Sequence, residues 1–198
     1  IRNIGRAFSL PRMRLLFLVM LLLTLGFTLF TSYFQVYLID RFHLSQSSIG
    51  DVFGYIGLWI AFAQGVVVRP IADRLRADQV LRFAPLGLAA ALFLLLSPHT
   101  LPGLFFVLPL TAIFQGLVTP NITSLISASA DAQSQGEILG INQSVVSLAQ
   151  FLPGLFGGAT AALYSGGPLL LAVGLTLAAW VTFVVGYRRA PSGQFHET

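Results

Sequence analysis

Apolar residues fill this chain in long uncharged blocks separated by short basic segments. With Asp, Glu, Lys and Arg counted as charged, uncharged stretches of 25, 17, 48 and 50 residues run over Leu15–Ile39, Val52–Val68, Phe83–Ala130 and Ile138–Tyr187. A helix crosses the hydrocarbon core of a bilayer with about 20 apolar residues. The first two stretches hold one span each. The last two hold two each, because each has a turn signal near its middle: Ser97-Pro98-His99-Thr100-Leu101-Pro102 and Ser165-Gly166-Gly167-Pro168. The pattern predicts six helices, over 15–39, 49–68, 80–97, 103–129, 137–163 and 168–187. Barrel strands alternate apolar and polar residues over about ten positions, and the Leu-Leu-Leu runs at 94–96 and 169–171 do not.

Amide side chains divide these spans. Gln35 falls in helix 1, Gln64 in helix 2, Gln115 and Asn121 in helix 4, and Asn142, Gln143 and Gln150 in helix 5, while helices 3 and 6 have no Asn or Gln. An amide in hydrocarbon needs a partner or water. Helices 1, 2, 4 and 5 are therefore expected to face protein or a cavity, and helices 3 and 6 to be peripheral. This order, repeated every three helices, suggests two inverted three-helix repeats. Polar residues also form stripes at helical spacing. These are Thr24, Thr28, Thr31 and Gln35 on helix 1, Thr111, Gln115 and Thr119 on helix 4, and Gln143, Ser147, Gln150, Gly154 and Gly157 on helix 5. They read either as interhelical hydrogen-bond seams or as the lining of a polar cavity. Gly50, Gly54, Gly57 and Ala61 on helix 2 read as a close-packing face. Pro109 and Pro120 in helix 4 and Pro153-Gly154 in helix 5 predict kinks.

Composition narrows the class. Of 198 residues, 56% are apolar and 9% charged, against about 25% charge in a soluble domain. A soluble globule is excluded, and so is disorder, which needs low hydrophobicity. There is no cysteine, which removes disulfides, thiol catalysis and Cys-based metal sites. The net charge of +4 is a matter of placement: Arg2, Arg6, Arg12, Arg14, Arg69, Arg74, Arg76, Arg82, Arg188 and Arg189 all fall on one face of a six-span chain, and Arg41 alone on the other. The positive-inside rule makes the ten-arginine face cytoplasmic, so no nucleic-acid role is needed to explain it. The expected layout is a cytoplasmic linker over 1–14, a six-helix domain over 15–187 and a cytoplasmic tail over 188–198, in a plasma or bacterial inner membrane. The apolar run after Arg14 is too long for the core of a signal peptide. The chain is expected to be an internal and terminal part of something longer.

Ser48-x2-Asp51 and Ser134-x2-Glu137 fit the capping-box pattern at the starts of helices 2 and 5; a coupling carboxylate is the alternative at either. An enzyme is not expected. His43, His99 and His196 lie in connections and the tail, with no nucleophile–base pair at membrane depth, no metal cluster and no cofactor motif.

Gln135-Gly136-x3-Gly140-x3-Ser144 running into Leu152-Pro153-Gly154-x2-Gly157-Gly158 resembles the penultimate helix of major facilitator superfamily transporters in the drug-antiporter and tetracycline-efflux branch. Phe42–Gly57 with Gln64-Gly65 resembles helices seven and eight of that branch. Arg69-Pro70-Ile71-Ala72-Asp73-Arg74-Leu75-Arg76 resembles its signature cytoplasmic loop. The resemblance implies that the six helices are the C-terminal half of a twelve-helix transporter whose N-terminal six-helix half is missing. It also implies an ion-pair latch at Asp73, Arg74 and Arg76 and a conformational kink at Pro153 and Gly154. The activity implied is alternating-access efflux of a small amphipathic substrate, with lipid as the surroundings. The stripes and their depth then nominate a substrate wall of Thr28, Thr31, Gln35, Trp59, Phe114, Gln115, Gln143 and Gln150. The alternative is a self-contained six-helix channel or scaffold acting as a homo-oligomer. No ionisable residue lies inside a predicted span away from its ends, so a coupling proton site is expected in the missing half.

Overall fold

The structure, a computed structural model, describes residues 11–130 and 133–187. The first ten residues of the expected linker and the tail from 188 onward lie outside the described residues, with four of the ten arginines. Six helices are long and apolar enough to cross a membrane, and the described residues include no strand. They are α1 (Pro11–Phe42), α2 (Gln46–Phe62), α3 (Ala77–Leu94), α4 (Leu101–Ala128), α5 (Gln135–Phe151, resuming as Pro153–Leu163) and α6 (Gly167–Gly186). α2 runs on through a π-helical stretch, Ala63–Val68, into a short α-helical turn, Arg69–Arg74. The interruption of α5 falls at Pro153, which cannot donate to the carbonyl four residues before it.

The helices begin one to four residues before the sequence reading, and two of these shifts change the account. α1 is already helical at Pro11, the first described residue, so Arg12 and Arg14 belong to a helix and not to the linker. Proline suits a first helical turn, and the arginines reach outward on long stems. The Arg12 guanidinium lies over the Tyr187 ring, 4.9 Å from its centroid, and donates to its hydroxyl. At the far end of α1, Arg41 bonds His99 in the α3–α4 connection. The chain then turns at His43, whose φ is 53°, and Ser45 caps α2 by accepting from the Ser48 N–H at 3.4 Å. Ser45 displaces the expected Ser48 cap because its hydroxyl meets the first-turn N–H groups as soon as the turn ends. Ser134 does occupy the cap position of α5, without its hydroxyl accepting from the first turn.

Helices in lipid associate through shape and small residues. α1 packs along α6 at Gly26, where an added Cβ would lie 3.0 Å from the Ala172 carbonyl oxygen. α3 packs along α4 at Gly87, where the Phe114 ring occupies the space a Cβ would take. The remaining contacts follow the same plan. α1 meets α5 as α4 meets α2, and α3 meets α6 as α1 meets α4. Exchanging the first three helices for the last three turns the α1–α6 contact into α3–α4 and α1–α5 into α2–α4, and returns α3–α6 and α1–α4 to themselves, the arrangement of two repeats; the α4–α5 and α5–α6 contacts lie outside this symmetry. Three is odd, so the second triplet enters from the opposite face.

Burial does not follow the amides. Half of the central window of α1 and of α3 is buried, against 17% for α2 and α5. α3 and α6 are peripheral only on their outer faces, at residues such as Phe93 and Val185. The amide criterion tracks cavity lining and not burial: α1, α2, α4 and α5 line a groove to which α3 and α6 contribute nothing, and packing between apolar helices needs no amides. It finds polar surface, which here lies open on α2 and α5.

Prolines set the cross-links. Pro109 removes the N–H that would bond the Phe105 carbonyl, and the Tyr55 hydroxyl of α2 donates to that carbonyl at 3.2 Å. The two rings meet edge to face, 5.0 Å between centroids. At the α5 break, the Tyr33 hydroxyl of α1 donates to the Pro153 carbonyl at 3.3 Å, with its ring against Gly157. Tyr55→Phe should therefore cost about 0.5–1.5 kcal/mol in denaturant unfolding in detergent. Adding Pro109→Ala, which restores the N–H, should remove most of that cost. Additive losses in this double-mutant cycle would contradict the pairing.

Candidate functional site

A groove of about 810 Å³ opens among α1, α2, α4 and α5. α4 supplies most of its wall. Gln115, Thr119, Thr123 and Ser127 stand four residues apart, and Gly116, Pro120 and Ser124 form the adjacent column. At 1.5 Å per residue this polar ladder runs about 18 Å along the helix. α2 faces it with Ile60, Gln64 and Val68, the last two within the π-helical stretch, while Phe27 of α1 and Leu139 of α5 add apolar sides. π-helical turns recur at functional sites. The lining has no ionisable side chain. The groove lies toward the end of the bundle where α2 runs out into Arg69–Arg74 and α4 ends.

Within the ladder, the Gln115 amide donates to the Thr119 hydroxyl at 3.0 Å, and the Thr123 hydroxyl donates to the Thr119 carbonyl at 3.0 Å. Asn121, behind the lining, is buried and donates to the Leu117 carbonyl at 2.7 Å. Thr111, expected to begin the stripe, is buried, with its hydroxyl unpartnered among the described residues.

Of the nominated wall, the structure brings Gln115 to the groove and places the rest elsewhere. Thr28 and Thr31 are half-buried on α1, and their hydroxyls bond the Thr24, Phe27 and Thr28 carbonyls of their own helix at 2.8–3.2 Å. A threonine satisfied this way needs no cavity, which the stripe alone could not reveal. Phe114 turns to the notch at Gly87. Trp59 stacks edge-on with Tyr55 and Phe62 along α2. Gln35, Gln143 and Gln150 are exposed on α1 and α5. Sequence reasoning missed Gly116, Thr123 and Ser127. The signal was there: the spacing of four that links Gln115 to Thr119 continues to both hydroxyl residues.

At the basic end, Asp73 and Arg74 are exposed. Arg76 instead pairs with Asp78, Nε to Oδ1 at 3.3 Å, and its backbone N–H donates to the Gln79 side chain at 3.0 Å. Asp78, unremarked in the sequence, is 2% exposed in the first turn of α3. Helix N-termini favour a carboxylate there. Pro153 is buried and Gly154 exposed at the α5 interruption.

Residues 11–197 match the family model described as Major Facilitator Superfamily. The staphyloferrin B transporter of Staphylococcus aureus is 29% identical over 177 residues, which cover 87% of this chain and 40% of that protein. The class D tetracycline resistance protein of Salmonella ordonez is 28% identical over 109 residues, covering 55% of this chain and 27% of that one. The crystal structure of the human organic anion transporter MFSD10 superposes with a TM-score of 0.75 at 24% identity, over 86% of this chain and 40% of its own. The chain spans less than half the length of these relatives.

Asp78 gives the basic end a direct check. Asp78→Ala should lower stability by about 1–2 kcal/mol, because a buried carboxylate in the first turn of α3 is lost. Arg76→Ala, at a side chain 76% exposed, should cost about 1 kcal/mol or less. Thermal unfolding of both variants in detergent compares them, and equal losses would contradict the burial of Asp78.

Proposed function

The chain belongs to the Major Facilitator Superfamily, and from that premise we propose that it is the C-terminal half of an alternating-access transporter that exports a small amphipathic molecule. As a member with six apolar spans it is an integral membrane protein. The half-length reading is supported by the chain's share of its relatives, 40% of the staphyloferrin B transporter. The faces of α2 and α5 agree with it. A Cβ at Gly50, Gly54, Gly57, Gly136, Gly140 or Gly154 would meet nothing within 4 Å. Small-residue faces suit close approach of another helix, and an N-terminal six-helix half is the partner proposed. Both ends of the domain and the α2–α3 connection lie on the cytoplasmic side in this reading, from the arginine asymmetry.

The observation that carries the proposal is the groove. An uncharged polar ladder faces apolar sides in a cleft of small-molecule size, formed partly by the two least buried helices. Amides and hydroxyls would orient a substrate while the apolar sides hold its body. The lining carries no ionisable group, so this half supplies binding surface and movement, and a coupling carboxylate belongs to the other half. Export is supported by the resemblance to the efflux branch and by the tetracycline resistance protein among the relatives. Asp73 and Arg74 are exposed, and in this reading they form a latch with that half.

In the full-length chain in membranes, Gln115→Cys should react with a membrane-impermeant thiol reagent added from the arginine-rich face. Leu94→Cys, on the outer face of α3, should stay unreactive. Equal reactivity at the two positions would overturn the groove as a substrate path.

A further inference from the structure

α4 contains two prolines, and the two carbonyls they release meet different fates. The Phe105 carbonyl, released by Pro109, is bonded by Tyr55. The Gly116 carbonyl, released by Pro120, has no such tyrosine. Gly116 and Pro120 both line the groove. The polar side chains nearest in sequence pass it over: Gln115 bonds the Thr119 hydroxyl, Thr123 the Thr119 carbonyl and Asn121 the Leu117 carbonyl. Glycine leaves the acceptor uncovered by any side chain of its own. Across from it, Ala63 and Val68 of the π-helical stretch lie 3.6 and 3.8 Å from where a Gly116 Cβ would be, so the wall beside it is apolar. Gly116 itself is buried, and among the described residues no side chain donates to its carbonyl, which leaves a groove ligand or water as a replacement for the N–H that Pro120 lacks.

We propose that the Gly116 carbonyl, released by Pro120, is a docking point for an uncharged substrate group that donates hydrogen bonds, such as a hydroxyl, an amide or a sulfonamide N–H. The inference rests on the transport reading and specifies the substrate class for this half of the site. A donor is required because the site is an acceptor. An uncharged group is required because the lining offers no counter-ion, and an unpaired charge beside Ile60, Val68, Phe27 and Leu139 is strongly disfavoured. Any charge the substrate carries is left to the other half.

The test uses the full-length chain with a single reactive cysteine at Ser124→Cys, a groove position apart from the kink. Its alkylation is followed against dansylamide, which has a sulfonamide N–H, and against N,N-dimethyldansylamide, which has none. Both probes should protect the cysteine. Pro120→Ala restores the backbone N–H to Gly116 and favours the helix. It should raise the dansylamide concentration for half-protection about 5- to 10-fold and leave the dimethyl probe unchanged. Pro120→Gly, which restores the same N–H, should reproduce the difference. An equal shift for both probes, or none for either, would overturn the carbonyl site while the groove reading stands. Protection by neither probe before Pro120 is changed would overturn both.

Discussion

A backbone carbonyl inside hydrocarbon has to find a donor, and proline takes its ordinary one away. Much of this bundle follows from that requirement. α4 carries two prolines within its length, and α2 is held beside it by Tyr55, which supplies the donor that Pro109 removed. α5 is interrupted at Pro153, and Tyr33 ties α1 to that point through the Pro153 carbonyl itself and not through the Ala149 carbonyl that the proline releases. The second released carbonyl of α4, at Gly116, is answered by a polar groove. The same chemical need thus cross-links helices at one depth and opens a polar site at another.

Packing distributes rigidity accordingly. α1, α3, α4 and α6 form a frame in which Gly26 and Gly87 let neighbours approach closely. Arg12 with Tyr187 and Arg41 with His99 fasten the two ends of α1. α2 and α5 lie against this frame with most of their surface open. They also carry its irregular backbone, a π-helical stretch in one and a proline interruption in the other. A frame bearing two lightly held, irregular helices suits a domain that moves against a partner half while its own core stays packed.

The sequence made the six spans legible because hydrocarbon thickness fixes a length that charge placement cannot disguise. Glycine and proline pairs marked the two turns inside long apolar runs. The groove was legible through Gln115 and Thr119 of the helix 4 stripe and through the Gln64 amide. Thr28 and Thr31 looked the same in the sequence, but a threonine hydroxyl can bond its own helix, and spacing does not report this choice. Phe114 lies away from the groove because its position depends on a glycine in another helix, Gly87. The π-helical turn at Ala63–Val68 has no residue pattern to announce it. Asp78 went unremarked, since its burial depends on where α3 starts.

The different fates of the two released carbonyls can be read directly by isotope-edited infrared spectroscopy, with a ¹³C=¹⁸O label at Gly116 or at Phe105 of the full-length chain in membranes. The account predicts that the Gly116 band moves to lower wavenumber as the membrane is hydrated. The Phe105 band, already bonded by Tyr55, should ignore hydration and shift only in Tyr55→Phe. A Gly116 band that stays fixed on hydration, like that of an ordinary helical carbonyl, would contradict it.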